Sequence, residues 1–233
     1  MIIKKHIPNT ITCCNLICGC IATGLAFKGD LQWALGFIIL GAIFDFFDGF
    51  AARMLHVSSP IGKELDSLAD DITFGMAPAT IVYSLLTKII YPEWAESFSE
   101  YIPYIAFVIA AFSALRLAKF NLDERQTTSF IGLPTPANAL FWGSLAIGLY
   151  EYFITWEYSI YVLILLVFLS SYLLIAEIPM FALKIKTFSW RDNKLRYIFL
   201  LSSVVLLCLL GIAGLSAVIL WYVILSVCTQ KKV

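Results

Sequence analysis

LQWALGFIILGAIFDFFDGFAAR, residues 31–53, opens as a run fit for hydrocarbon and closes on two carboxylates, Asp45 and Asp48, with an arginine behind them. A predominantly apolar run of about 20 residues has the length of a bilayer-spanning helix. Ionised carboxylates in or near hydrocarbon are costly, so by default they mark a working site. A second acidic stretch, ELDSLADD at 64–71, follows within twenty residues and adds Asp66 and Asp70. The fold that follows is a set of membrane helices with acidic groups where two of them meet a loop.

The composition agrees. Of 233 residues, 61% are hydrophobic and 14% charged, outside the range of soluble globular domains. The hydropathy pattern predicts eight spans, at about 10–27, 32–54, 64–90, 102–120, 134–152, 159–180, 196–210 and 214–229. With eight spans, fourteen of the sixteen Lys and Arg residues fall on one side of the membrane, leaving Lys28 and Lys88 opposite. Those fourteen include Lys4, Lys5, Arg53, Lys63, Arg116, Lys119, Arg125, Lys184, Lys186 and the terminal Lys231 and Lys232. Fusing the last two spans would put Lys231 and Lys232 on the wrong side. The positive-inside rule therefore predicts a turn at Gly211–Gly214 and both termini in the cytosol. Net charge is zero, and nothing in its distribution points to nucleic acid. MIIKKH before an apolar run resembles a signal peptide, but the run is long, lacks a clear cleavage site and is needed for the charge parity, so it is read as the first span.

Cys13, Cys14, Cys18 and Cys20 in TCCNLICGC invite a metal reading. At about 100° per residue they spread around a helix and cannot converge on one tetrahedral ion. They are read as small packing residues.

Asp45 and Asp48 lie about 60° apart around a helix, and Gly49 and Ala52 continue their stripe. On the next helix Gly62, Asp66 and Asp70 recur every four residues. A short SSP-containing turn joins the two, so the stripes can face each other. Four carboxylates cannot share a small low-dielectric site while ionised unless cations neutralise them. Oxygen-only ligands favour hard ions, Mg²⁺ or Mn²⁺, which are commonly completed by substrate phosphates. Two such ions suit displacement at phosphorus. Gly49, Ala52 and Gly62 leave room for a nucleotide against the backbone, and Arg53 can face a phosphate.

D-x-x-D-G-x-x-A-R, eight residues, then G-x-x-x-D-x-x-x-D resembles the signature of the CDP-alcohol phosphatidyltransferases, and every fixed position is met. That resemblance implies an all-α integral membrane protein in which a CDP-linked lipid gives its phosphatidyl group to an alcohol and CMP leaves. It implies that Asp45, Asp48 and Asp66 chiefly hold two metal ions. Asp70 would touch the second ion and act as general base, while Gly49, Ala52, Arg53 and Gly62 would cradle the cytidine and phosphates. It also implies a homodimer.

The stretches at 62–79, 113–121 (SALRLAKFN) and 130–137 (FIGLPTPA), with IPNTITCCNLICG near the N-terminus, are similar to the serine-using branch of that family, and the likeness spans roughly residues 7–185. The expected substrates are thus CDP-diacylglycerol and L-serine. The expected organisation is a six-helix core over 1–185 plus a C-terminal hairpin over 186–233, in the cell membrane among its lipids, with the site facing the cytosol. A serine acceptor carries an ammonium and a carboxylate, and Arg116 and Lys119 are candidates to clamp the carboxylate or the diphosphate. Glu64 is a third candidate for acceptor or diphosphate contact. Asn121, Thr135, Pro134 and Pro136 are expected at the pocket rim, Glu177 at the membrane interface, and His56 and Asp71 away from the stripes. Glycerol 3-phosphate or inositol phosphate is the alternative acceptor. A divalent-cation transporter is the rival from another class, but it would want its acidic groups near the bilayer midplane with access from both faces.

Overall fold

The computed structural model describes residues 2–123, 130–181 and 190–229. Helix α1 (Ile2–Phe27) and α2 (Leu31–Met54) form an antiparallel pair joined by a tight turn in which Gly29 takes a positive φ of 85°. Helix α3 (Pro60–Asp70) runs back from the acidic end. It continues through a π-helical stretch, Asp71–Met76, into α4 (Ala77–Leu86). Its start is set by sequence: Ser59 accepts a hydrogen bond from the Gly62 amide at 3.0 Å, and Pro60 takes the first turn, where a missing N–H costs nothing.

Every residue of α4 except Tyr83 is buried, as expected for a helix apolar on all sides. It is the central post, with α1, α2, α6 (Val108–Leu122) and α7 (Thr135–Gly148) packed around it. A short helix, α5 (Glu93–Glu96), and a 3-10 turn at Ile102–Phe107 lead into α6. Helix α7 is followed by α8 (Tyr150–Thr155), α9 (Ser159–Ile175), α10 (Trp190–Leu210) and α11 (Ala213–Cys228). A two-residue pair of antiparallel strands, β1 (Phe130–Ile131) and β2 (Pro179–Met180), is the one strand pairing among the described residues. His6–Phe27, Leu31–Met54, Ile102–Leu122 and Asn193–Leu210 are long and apolar enough to cross a membrane, and Ser159–Ile175 and Ala213–Cys228 are shorter apolar helices. The chain is a multi-pass membrane protein.

Among the described residues a helical segment lies at each of the eight expected spans; several boundaries shift, and three of the shifts have a visible local cause. The third ends at Leu86, not 90, where the Tyr91 hydroxyl donates to the Leu86 carbonyl at 2.8 Å and closes the helix end. The sixth stops at Ile175, not 180, because Ala176 turns extended and the chain enters β2 at Pro179, which cannot continue a helix. The terminal turn is tighter than Gly211–Gly214: Gly211 alone has positive φ, 56°, and Gly214 already lies in α11.

Small residues allow the helices to meet closely. A side chain at Gly143 would strike Leu35 of α2, and one at Gly148 would strike Ala213 of α11, so the terminal hairpin sits directly on α7. The Trp221 indole donates to Ser202 at 2.9 Å across that hairpin. The cysteines of α1 face different ways, with Cys18 buried and Cys13 and Cys20 exposed. Arg125, Lys184, Lys186, Lys231, Lys232 and the expected 185/186 boundary lie outside the described residues.

Candidate active site

The two acidic stripes do face each other. One oxygen from each of Asp45, Asp48 and Asp66 lies within 4.8 Å of the others. Asp70, one turn along α3 from Asp66, feels the charges of Asp45, Asp66 and Asp48. Among the described residues Asp66 Oδ1 is buried without a hydrogen-bond partner. Clustered carboxylates with an orphaned acceptor oxygen could hold a metal ion, and an all-oxygen donor set suits a hard divalent one.

Beside the triad is an open cavity of about 260 Å³. Helix α1 contributes Pro8, Asn9 and Thr12, α2 contributes Asp48, Gly49 and Ala52, and α3 contributes Gly62, Lys63 and Asp66, with Val57–Ser59 closing the loop side. That volume lies just under the range of about 300–1,000 Å³ usual for ligand pockets, so it suits a head group and not a whole lipid. The glycines are there for space. A Cβ on Gly62 would come to 2.9 Å from Asn9 Oδ1, and one on Gly49 to 3.3 Å from the Arg53 guanidinium, which folds along that face.

The remaining candidates separate. Arg116 is buried, 7% exposed, with Nε unpartnered, and interacts electrostatically with Asp70. Its guanidinium lies 6.0 Å from the Phe120 ring centre, and it borders a small hollow of about 40 Å³ with Lys119 and Glu177. Lys119 and Glu64 are both exposed, and Glu64 is not among the residues lining the larger cavity. Asn121 is not a rim residue: its carbonyl accepts from Lys63 Nζ at 3.0 Å and its amide donates to Ser67 at 2.8 Å, so it ties α6 to α3. Thr135 is buried at the start of α7, behind an extended Pro134. Nearby Gly132, at a positive φ of 75°, has no room for a Cβ against the carbonyls that end α9. His56 is exposed in a left-handed turn. Asp71, the first residue of the π-helical stretch, turns from the triad toward Ser113 of α6, where its Oδ1 is buried without a partner.

Sequence reasoning noted the IPNTITCCNLICG stretch of α1 but gave three of its residues, Asn9, Thr12 and Asn15, no role. Thr12 donates to Asp48 Oδ2 at 2.7 Å, a short charge-assisted bond. Asn15 Nδ2 donates to Asp70 Oδ1 at 3.1 Å. With Asn9 they recur every three residues on one face of an apolar helix, and that polar stripe was the available signal.

Residues 5–172 match the family model described as CDP-alcohol phosphatidyltransferase. The chain is 38% identical over 136 residues to the CDP-diacylglycerol--serine O-phosphatidyltransferase of Bacillus subtilis, covering 57% of this chain and 70% of that one. It is 33% identical over 182 residues to the protein of the same name from Mycobacterium leprae, covering 75% and 57%. The protein of that name from Methanocaldococcus jannaschii is 37% identical over 134 residues, covering 58% and 57%. The match thus spans little more than half the length of the latter two relatives.

Proposed function

The chain belongs to the CDP-alcohol phosphatidyltransferase family, and on that premise we propose that it moves the phosphatidyl group of CDP-diacylglycerol onto the hydroxyl of L-serine, giving phosphatidylserine and CMP. The observation that carries this reading is the convergence of Asp45, Asp48 and Asp66 beside a head-group-sized cavity, with Asp70 interacting electrostatically with the buried Arg116. The names borne by the relatives supply the serine.

In this proposal Asp45, Asp48 and Asp66, with Asp70 at the edge, hold two divalent ions, Mg²⁺ or Mn²⁺. Such ions, when bound, neutralise charge building on the phosphates. Gly49, Ala52 and Gly62 admit the cytidine diphosphate to the backbone, and Arg53 meets a phosphate. Arg116 holds the serine carboxylate close to Asp70. The Asp70 carboxylate takes the proton of the serine hydroxyl as its oxygen attacks the lipid-bearing phosphorus. The bond from that phosphorus to the bridging oxygen breaks, and CMP departs with the bonding pair. Glu64 and Lys119, at the surface, have the weaker claim to substrate.

The acidic end faces the cytosol of a cell whose plasma membrane the protein crosses, a reading supported by the side on which Lys and Arg collect. Residues 1–185 form the working core, residues 186–233 a terminal hairpin, and the active form is a homodimer. A reporter fused after Val233 should then lie in the cytosol and one inserted at Gly211 outside; both on one side would overturn the orientation.

The test of the reaction is CMP release by purified protein from CDP-diacylglycerol with a panel of alcohols. Release should depend on L-serine and be absent with glycerol 3-phosphate or inositol phosphate. Equal or faster release with either phosphate would overturn the acceptor.

A further inference from the structure

Helix α1 reaches the site with an amide buried more deeply than any contact with solvent or lipid explains. Asn15 is fully buried. Its Nδ2 donates to Asp70 Oδ1, its backbone carbonyl accepts from Thr73 Oγ1 at 3.0 Å, and its own Oδ1 is buried without a partner. The glycines that line its socket have no room for a side chain. A Cβ on Gly41 of α2 would come to 2.9 Å from Asn15 Oδ1 and 2.6 Å from the Thr73 methyl, and one on Gly19 of α1 to 2.8 Å from the Thr73 backbone. Three elements, α1, α2 and the π-helical stretch that starts immediately after Asp70, therefore close on this one amide.

A buried acceptor left unpaired is unfavourable, and an apolar side chain of the same shape would remove that cost. Packing alone would therefore favour leucine here. What leucine could not do is donate to Asp70.

We propose that Asn15 is a positioning residue for Asp70: its amide fixes Oδ1 of that carboxylate and so leaves Oδ2 as the oxygen presented to the acceptor hydroxyl. The proposal rests on the reading of Asp70 as general base given above. An amide donor suits the task because it cannot take the proton itself, and because its oxygen packs against Gly41 on the side away from Asp70. The π-helical stretch contributes by bringing Thr73 round to grip the Asn15 carbonyl. That grip sets the height of α1 against Asp70.

The experiment is a double-mutant cycle in detergent-purified full-length protein, with CDP-diacylglycerol and L-serine as substrates. Asn15→Leu should lower kcat by about 10- to 100-fold, the usual loss on removing the hydrogen-bond partner of a functional carboxylate, with KM for CDP-diacylglycerol nearly unchanged. In an Asp70→Asn background the same substitution should add almost nothing, because its target is already gone. Asn15→Ser, which keeps a donor in a smaller volume, should recover part of the loss, and it carries the same cycle if Asn15→Leu does not fold. Equal losses from the Asn15 substitution in both backgrounds, or no loss in either, would overturn the positioning role. Near-normal turnover by Asp70→Asn alone would instead overturn the assignment of the base, so the two failures are distinguishable.

Discussion

Helices α2 and α3 carry all four carboxylates of the site, whereas α1 contributes none and yet holds two of them, Asp48 through Thr12 and Asp70 through Asn15. The first pair states what chemistry is possible. The third helix decides which oxygen of each carboxylate is free to do it. Spacing along a single helix suffices to gather charge on one face, but orienting a carboxylate takes a donor from a different element, and that donor need not belong to the charged motif. The two regions should therefore fail differently: loss on α2 and α3 should remove function, and loss on α1 should degrade it.

The largest effect expected is from withdrawing the cation proposed for the α2–α3 triad. A strong chelator should abolish CMP release, and added Mg²⁺ or Mn²⁺ should restore it. Activity undiminished in excess chelator would remove the metal from the account and leave the orphaned Asp66 oxygen unexplained.

An intermediate effect is expected on α1. Thr12→Val keeps the shape and deletes the donor to Asp48, so the affinity for activating metal, read from the metal dependence of turnover, should fall by about 10- to 100-fold. Saturating metal should recover most of the rate. A loss that metal cannot recover would mean that Thr12 acts on substrate instead.

The smallest effect is expected from Asp71→Asn. Asp71 adjoins Asp70 in sequence, but its Oδ1 lies beside Gly75, as does Ser113 of α6, and it is not one of the clustered triad carboxylates. Turnover and metal dependence should both stay near those of the parent protein, and a large loss in either would show that the π-helical stretch brings Asp71 into the chemistry.

How far the sequence went follows the same division. The eight passes and the facing stripes were legible because length, hydropathy and a four-residue repeat act within one helix at a time. Asp45, Asp48 and Asp66 met as their spacing required. What was not legible depended on contacts between distant segments. Asn121 was expected at the pocket rim and serves as a tie between α6 and α3, a partnership 54 residues apart. Asn15 and Asp70 are 55 apart, and nothing local to either names the other. The π-helical stretch at Asp71–Met76 is hidden for a related reason: its residues are ordinary, and its register answers to Thr73 docking on α1 and Gly75 docking on α6. Arg116 was readable as a cation at a helix end, but its burial near Phe120 and its electrostatic interaction with Asp70 were not.

The most direct measurement of the central claim compares CDP-diacylglycerol binding with the rate of transfer to serine in Asp70→Asn. The substitution keeps the size and one ligating oxygen of the side chain but cannot accept a proton. The account predicts that binding survives while kcat falls by about 10² to 10⁴, the usual range for losing a general base. A near-normal kcat in Asp70→Asn would contradict it, and the base would then have to be sought on another helix.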